Sequence, residues 1–327
     1  MSQQYIISFD AGGTRLKVVV VDAEGQLIKT FNTPSNANKG ADVLFDTIHF
    51  SVEKLKQEYG SDLLGIALSL SGVIHPHKGV VLLPGKFKML EGYPIVEKLK
   101  TTFGVPVIAD NDGRLAIYAE KYFGLAKDVD WAVALTIGTG IGSGVIIDGK
   151  ILTNRFLQFG TQVGHIILNS ASSKYCLTGN YGTGETLCSA TALVLQVRGA
   201  IQRGIPSILS DEYFLNPAAI DFEKAIDACR KGDALCVREM ENWSDNLATM
   251  IVNAIHAYSP EVVILSGGAT LAADLFLEKI QHNVKKQVFC YPVNESVPIL
   301  ISKIQEYASA LGAAIYLKNS LINQYQN

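Results

Sequence analysis

No apolar run in the chain approaches the ~20 residues that a membrane-spanning helix needs. No block of like charges and no low-complexity linker interrupts it either. Cysteine is scarce: five residues, an odd number at irregular spacing, exclude a disulfide framework and fit a reducing compartment. Basic residues never cluster. With 28 Lys and Arg against 31 Asp and Glu, the net charge is −3, and a nucleic-acid footprint is not expected. Met1-Ser2-Gln3-Gln4 offers no basic n-region and no cleavage site, so no signal peptide is expected. These absences leave a cytoplasmic globular protein with no membrane partner. What remains is 327 residues, 48% hydrophobic and with 29 glycines, enough for two α/β domains.

The stretch Phe9-Asp10-Ala11-Gly12-Gly13-Thr14-Arg15-Leu16-Lys17 organises the chain. Tyr5–Phe9 leads in and Val18–Asp22 leads out, so β-branched runs flank a Gly-Gly pair and predict a hairpin. Glycines there are expected to take positive φ and bring backbone amides close to a ligand. Such amides form an anion nest. Thr14 adds a hydroxyl, Lys17 a positive charge and Asp10 a carboxylate for a divalent cation. Together these suit nucleotide phosphates with Mg²⁺, although an ordinary tight hairpin would share the pattern.

The stretch occurs twice. Trp131–Asp148 aligns with Tyr5–Asp22 without a gap, putting Thr136 on Asp10, Gly138 on Gly12, Thr139 on Gly13, Gly140 on Thr14 and Asp148 on Asp22. Glycines 25 and 149 then lead into third strands, Gln26–Phe31 and Lys150–Thr153. An internal duplication of phosphate-type hairpins predicts two similar lobes facing each other across a cleft.

Helical periodicity marks Ala41–Tyr59, and Leu63–Leu70 is a buried strand ending in the loop Ser71-Gly72-Val73. His75 and His77 lie in a turn-rich segment, where solvated histidines are the simpler reading than a metal pair. A strand at Val105–Ala109 runs into Asp110-Asn111-Asp112-Gly113 and a helix, Arg114–Phe123. Asn or Asp ahead of a helix is ordinarily a cap. Two acids flanking an amide exceed what capping requires. Further on come Gly160-Thr161-Gln162-Val163-Gly164-His165, a strand at Ile166–Leu168, and helices at Thr186–Ile201, Ile220–Lys231 and Ala234–Tyr258. A strand ending at Ser266 meets Gly267-Gly268 ahead of another helix, again suited to close ligand approach. Val297–Ser302 is the last strand and Tyr307–Lys318 the last helix.

From Tyr5 to Leu317 the chain resembles the ROK family of sugar kinases and repressors. The resemblance rests on Asp10–Lys17, Asn111-Asp112, Gly138-Thr139-Gly140, Gly267-Gly268 and the ordered series Gly164-His165, Cys176, Gly179, Gly182, Glu185. It implies a two-lobed actin-like, ribonuclease-H-like ATPase fold, each lobe a mixed sheet flanked by helices. Residues 1–112 with 304–327 would form one lobe and 113–303 the other. It also implies transfer of the ATP γ-phosphoryl group to a hydroxyl of a hexose or N-acetylhexosamine. Asp112 would be the general base and Asp10 the Mg²⁺ ligand. Gly12, Gly13, Thr14, Lys17, Gly138, Thr139, Gly140, Gly267 and Gly268 would bind ATP. Gly72, Asn111, Gln162, His165 and Glu185 would line the sugar site. A homodimer is expected by the same resemblance.

Three positions depart from the family pattern. Gln162 stands where a glutamate is usual, and Thr178 and Thr183 stand where two of three zinc-binding cysteines would be, leaving only His165 and Cys176. Zinc in a structural site takes four ligands, and threonine rarely serves, so structural zinc is expected to be absent. Cys188 lies in the following helix and is a poor substitute. Other readings are a sugar-responsive repressor, a catalytically weak sugar-binding regulator and a chaperone-type ATPase of the same superfold. Four residues before the first strand give no room for a helix-turn-helix, so a DNA-binding domain is not expected. A chaperone would have no use for Asn111, Asp112, His165 and Glu185, and a decayed enzyme no reason to keep both Asp10 and Asp112.

Overall fold

Strand β1 (Tyr5–Ala11) buries both faces, which is why its sequence is a continuous apolar run rather than an alternating one. On one side Tyr5, Ile7 and Phe9 join Leu44, Ile48 and Leu99. On the other, Ile6 joins Val19, Ala67 and a row of alanines from the C-terminal helix. This is a computed structural model, and it describes residues 4–75, 78–84, 87–153, 162–176, 179–289 and 296–324. His77, Gly160, Thr161 and Thr178 lie outside the described residues.

The chain divides into two compact units, residues 1–128 with 150–161 and 303–327, and residues 129–149 with 162–302. In the first unit, β2 (Arg15–Asp22), β3 (Leu27–Pro34), α1 (Ala41–Tyr59), β4 (Leu63–Leu70), β5 (Gly72–Ile74), β6 (Val81–Pro84), α2 (Ile95–Phe103), β7 (Val107–Asn111) and α3 (Asp112–Phe123) follow β1. The sheet runs β3-β2-β1-β4-β7. β1 and β2 are antiparallel, while β1, β4 and β7 are parallel. β5 and β6 form a separate hairpin, so Gly72 and Val73 are strand where a loop is predicted.

Strands β8 (Ala132–Ile137), β9 (Ile141–Ile147) and β10 (Lys150–Ile151) precede the helical part of the second unit. That part holds α4 (Gly184–Cys188), α5 (Ala190–Gln202), α6 (Ser210–Leu215), α7 (Phe222–Arg230) and α8 (Ala234–Tyr258). Strand β11 (Val262–Ser266), helix α9 (Ala273–Gln287) and strand β12 (Ile299–Ile301) complete it, and α10 (Ala308–Gln324) closes the chain in the first unit. The strands order β9-β8-β11-β12, with β8/β9 antiparallel and β8/β11 and β11/β12 parallel. That repeats β2-β1-β4-β7, so the sequence duplication is a duplication of architecture. The α/β class with two mixed sheets stands as expected.

Several expected boundaries move, each for a local reason. Residues 113–128 belong to the first unit, because α3 packs along α10 closely enough that a side chain at Gly312 would strike the Leu115 carbonyl. The strand expected at Ile166–Leu168 is one bridge, Ile167 to Thr183, with no further ladder to extend it. The helix expected at Thr186–Ile201 breaks at Ser189, whose hydroxyl caps α5 through the Ala192 amide at 3.1 Å. The Ser189 carbonyl accepts from buried Trp243 at 2.8 Å.

Candidate active site

In the first unit the chemistry gathers at the C-terminal ends of β1, β4 and β7. The ladder sets Asp10 beside Ser69 and Ser69 beside Asp110. Ser69 Oγ donates to Asp10 Oδ1 at 2.9 Å, and Lys17 Nζ lies 3.2 Å from Asp10 Oδ2 across the hairpin. Asp10 is only 14% exposed, so its carboxylate is held in place by its neighbours. One carboxylate with hydroxyl oxygens nearby fits Mg²⁺, which keeps several waters and takes only one or two protein carboxylates.

The hairpin turn works differently from the sequence-based expectation. Neither Gly12 nor Gly13 is at positive φ. Gly12 is required by close approach instead: a Cβ there would sit 2.7 Å from the Arg15 carbonyl, which accepts the Gly12 amide at 2.9 Å. Gly13 and Thr14 are exposed, and Ser35 ties the turn down through the Gly13 carbonyl at 3.1 Å and the Thr14 carbonyl at 3.0 Å.

At the end of β7 the helix starts at Asp112, two residues earlier than expected. Asn111 is its cap, accepting from the Arg114 amide at 3.2 Å, while Asn111 Nδ2 donates to the Gly72 carbonyl at 2.9 Å. One side chain therefore fixes the start of α3 to the first residue of β5, bringing Gly72, Asn111 and Asp112 together. Asp112 is half-buried, and its Oδ1 accepts from the Gly113 amide at 2.8 Å. Its own carbonyl accepts from Ser309 Oγ of α10 at 3.1 Å.

The second unit repeats the frame with other groups. Thr136 takes the place of Asp10 and Ser266 that of Ser69, and their hydroxyls are 3.0 Å apart. The carboxylate thus exists in one copy only. The second turn is also a residue shorter, since Ile137 pairs with Ile141 where Ala11 pairs with Leu16. The gapless alignment therefore fails beyond the turn: Ala132 pairs with Ile146, where the alignment, following Ile6 and Val21, would set Ile147. Gly267, at φ 90°, turns the chain off β11 against the Ile137 backbone, and Thr270 closes a 3-10 turn onto its carbonyl at 2.7 Å.

Gln162 precedes and His165 ends the 3-10 turn Val163–His165, which Ser143 of β9 anchors through the Val163 amide at 2.9 Å. Gly164 packs on the backbone of Ile141. Glu185, in the first turn of α4, accepts from the Ile141 amide at 3.1 Å. Gly140, Gly164 and Glu185 thus meet around Ile141, with Gln162 and His165 close to Gly164 in the chain. His165 Nδ1 is buried with no hydrogen bond among the described residues. Such a group ordinarily finds a partner.

The cysteine-poor loop is held by other means. Thr183 Oγ1 accepts from the Thr186 amide as the cap of α4. Tyr175 pairs with Tyr181 in a bridge, their rings 6.1 Å apart at 72°. Cys188 Sγ donates to the Gly184 carbonyl at 3.1 Å, and burial pushes its thiol pKa up. It is not turned into ligand use. No group of three His, Cys, Asp or Glu able to hold a metal occurs among the described residues.

Sequence reasoning missed Ser69 and Arg114. Ser69 is one of two serines around Leu70, and only strand register shows which of them meets Asp10. Arg114 stands at the start of the expected helix with no role assigned, but it is buried, its guanidinium paired with Asp110.

Known proteins agree with this architecture. The ROK family model matches residues 6–320. A glucokinase from Thermotoga maritima is 28% identical over 98% of this chain and 99% of its own. A xylose repressor from Caldicellulosiruptor bescii is 27% identical over 97% of this chain and 79% of its own. Among solved structures, a ROK family glucokinase from Streptomyces griseus, in complex with glucose and AMPPNP, shares the fold. It superposes with TM-score 0.79 at 23% identity, over 95% of this chain and 98% of its own.

Proposed function

The chain belongs to the ROK family, and from that premise we propose that it is an ATP-dependent kinase acting on a hydroxyl of a hexose or N-acetylhexosamine. The observation that carries the reading is the strand-to-helix junction, where Asn111 is bonded on both sides and presents Asp112 at the first position of α3. In the reaction the sugar hydroxyl oxygen attacks the γ-phosphorus, the bond to the β-phosphate oxygen breaks, and Asp112 accepts the hydroxyl proton. ADP leaves and the sugar phosphate ester remains.

The other groups take roles their chemistry suits. Asp10, steadied by Ser69, would hold Mg²⁺, which supplies neutralising charge on the β- and γ-phosphates. Lys17, Thr14 and the turn of Gly12 and Gly13 would contact phosphate, as would Gly138, Thr139 and Gly140, with Gly267 and Gly268 for the adenosine end. A carboxylate in only one of the two hairpins supports a single metal-bearing side. Gly72, Asn111, Gln162, His165 and Glu185 would bind the sugar, and the buried Nδ1 of His165 suits a hydroxyl partner. The name and the ligands of the glucokinase relatives favour the same donor and acceptor classes.

The test is Asp112→Asn. Shape is kept and the base is lost, so kcat for sugar-dependent ADP release should fall by about 10²–10⁴-fold, with sugar affinity changed by less than about tenfold. Wild-type kcat in that variant would remove Asp112 from the role. We further infer that the His165–Cys176 loop carries no zinc. Metal analysis after dialysis should find well under one zinc per chain, and a stoichiometric, dialysis-resistant zinc would overturn this.

A further inference from the structure

Asp110 and Arg114 are both 2% exposed, and the guanidinium of one meets the carboxylate of the other across the first turn of α3. Asp110 Oδ1 also accepts the Asn111 amide at 2.7 Å. The Arg114 amide donates to Asn111 Oδ1 at 3.2 Å. These bonds close a ring around Asn111-Asp112-Gly113: Asp110 holds the backbone of Asn111, Arg114 holds Asp110, and the backbone of Arg114 holds the side chain of Asn111. The guanidinium in turn lies 5.7 Å over the ring of Tyr316 on α10, and that ring is 5.0 Å from Tyr118.

Stability alone is a weak reason for such a pair. Two charges removed from water gain little over apolar side chains of similar volume. Helix α10 itself buries Ala310, Ala313, Ala314 and Ile315. An aliphatic filler would be the simpler choice there. What the charged pair supplies is direction, because in a buried setting the guanidinium Nη2 and the Asp110 Oδ2 hold each other at one place. A turn that carries a proton acceptor needs that, since a displacement of about 1 Å at the reacting group can cost on the order of 10²-fold in rate.

We propose that Arg114 is a positioning residue, which through Asp110 sets the angle at which the Asn111–Asp112 turn presents the base. The proposal rests on the kinase reading. Its test compares wild type, Arg114→Met and the double variant Asp110→Asn/Arg114→Met by thermal melting and by steady-state ADP release with the best sugar substrate. Arg114→Met takes the cation from a buried carboxylate and is expected to melt lower. The double variant removes both charges and is expected to recover most of that loss.

In the double variant kcat per folded molecule should still be down about 10–100-fold, with KM for ATP unchanged. A double variant that regains wild-type kcat along with its melting temperature would make the pair structural and overturn the proposal. One that fails to fold would assign the pair to stability and overturn it equally. If wild type releases no ADP in response to any sugar, the kinase reading falls and takes this inference with it. Activity in wild type therefore separates the two failures.

Discussion

Gln162 is the residue that most sets this site apart from the pattern it resembles. A carboxylate accepts from two sugar hydroxyls and forms bonds roughly twice as strong as neutral ones. An amide offers one acceptor and one donor. A sugar presenting only donors at Gln162 should bind less well by about 1–2 kcal/mol, whereas an acetamido or ring oxygen would use the amide donor. The expected outcome is that Gln162→Glu shifts preference toward glucose across a panel of glucose, mannose, N-acetylglucosamine, N-acetylmannosamine and fructose. An unchanged order of kcat/KM values, with glucose already at micromolar KM in wild type, would make the substitution neutral. At this scale the sequence was legible for placement, since Asp10 lies at the end of β1 and Asn111 caps α3, as a carboxylate and an amide at strand ends suggest. It was not legible for Ser69 and Arg114, whose partners are chosen by strand register and by the packing of α10 on α3.

The elements that carry the proposed site residues are the two hairpins and the turns after β4, β7 and β11. Their positions could be read from glycines between β-branched runs, but their turn geometry could not. One-residue differences in turn length leave no trace in composition, and they decide which side chains share a face. The break at Ser189 was hidden for a similar reason, because the residue that captures its carbonyl, Trp243, is 54 positions away.

Glu185 shows what the second hairpin contributes. A methyl group at position 140 would collide with its carboxylate and drive it from the Ile141 amide. Gly140→Ala should therefore raise sugar KM by about tenfold, the equivalent of one charge-assisted hydrogen bond, while melting stays within a few degrees of wild type. Unaltered sugar KM in a folded Gly140→Ala protein would separate Glu185 from sugar binding.

The whole molecule is a duplicated mixed-sheet frame in which one copy pairs Asp10 with Ser69 and the other pairs Thr136 with Ser266 at the matching strand ends. No described helix is long and apolar enough to cross a membrane. The relatives include both a glucokinase and a xylose repressor, so the decisive property is turnover rather than sugar binding. That property can be measured directly as ADP release from MgATP, with and without each sugar of the panel. At least one sugar should raise ADP release well above the ATP-only rate, and the stimulated rate should disappear in Asp112→Asn. Sugar binding detected by calorimetry with no stimulated ADP release on any sugar would contradict the kinase reading, and would identify a sugar-binding regulator instead.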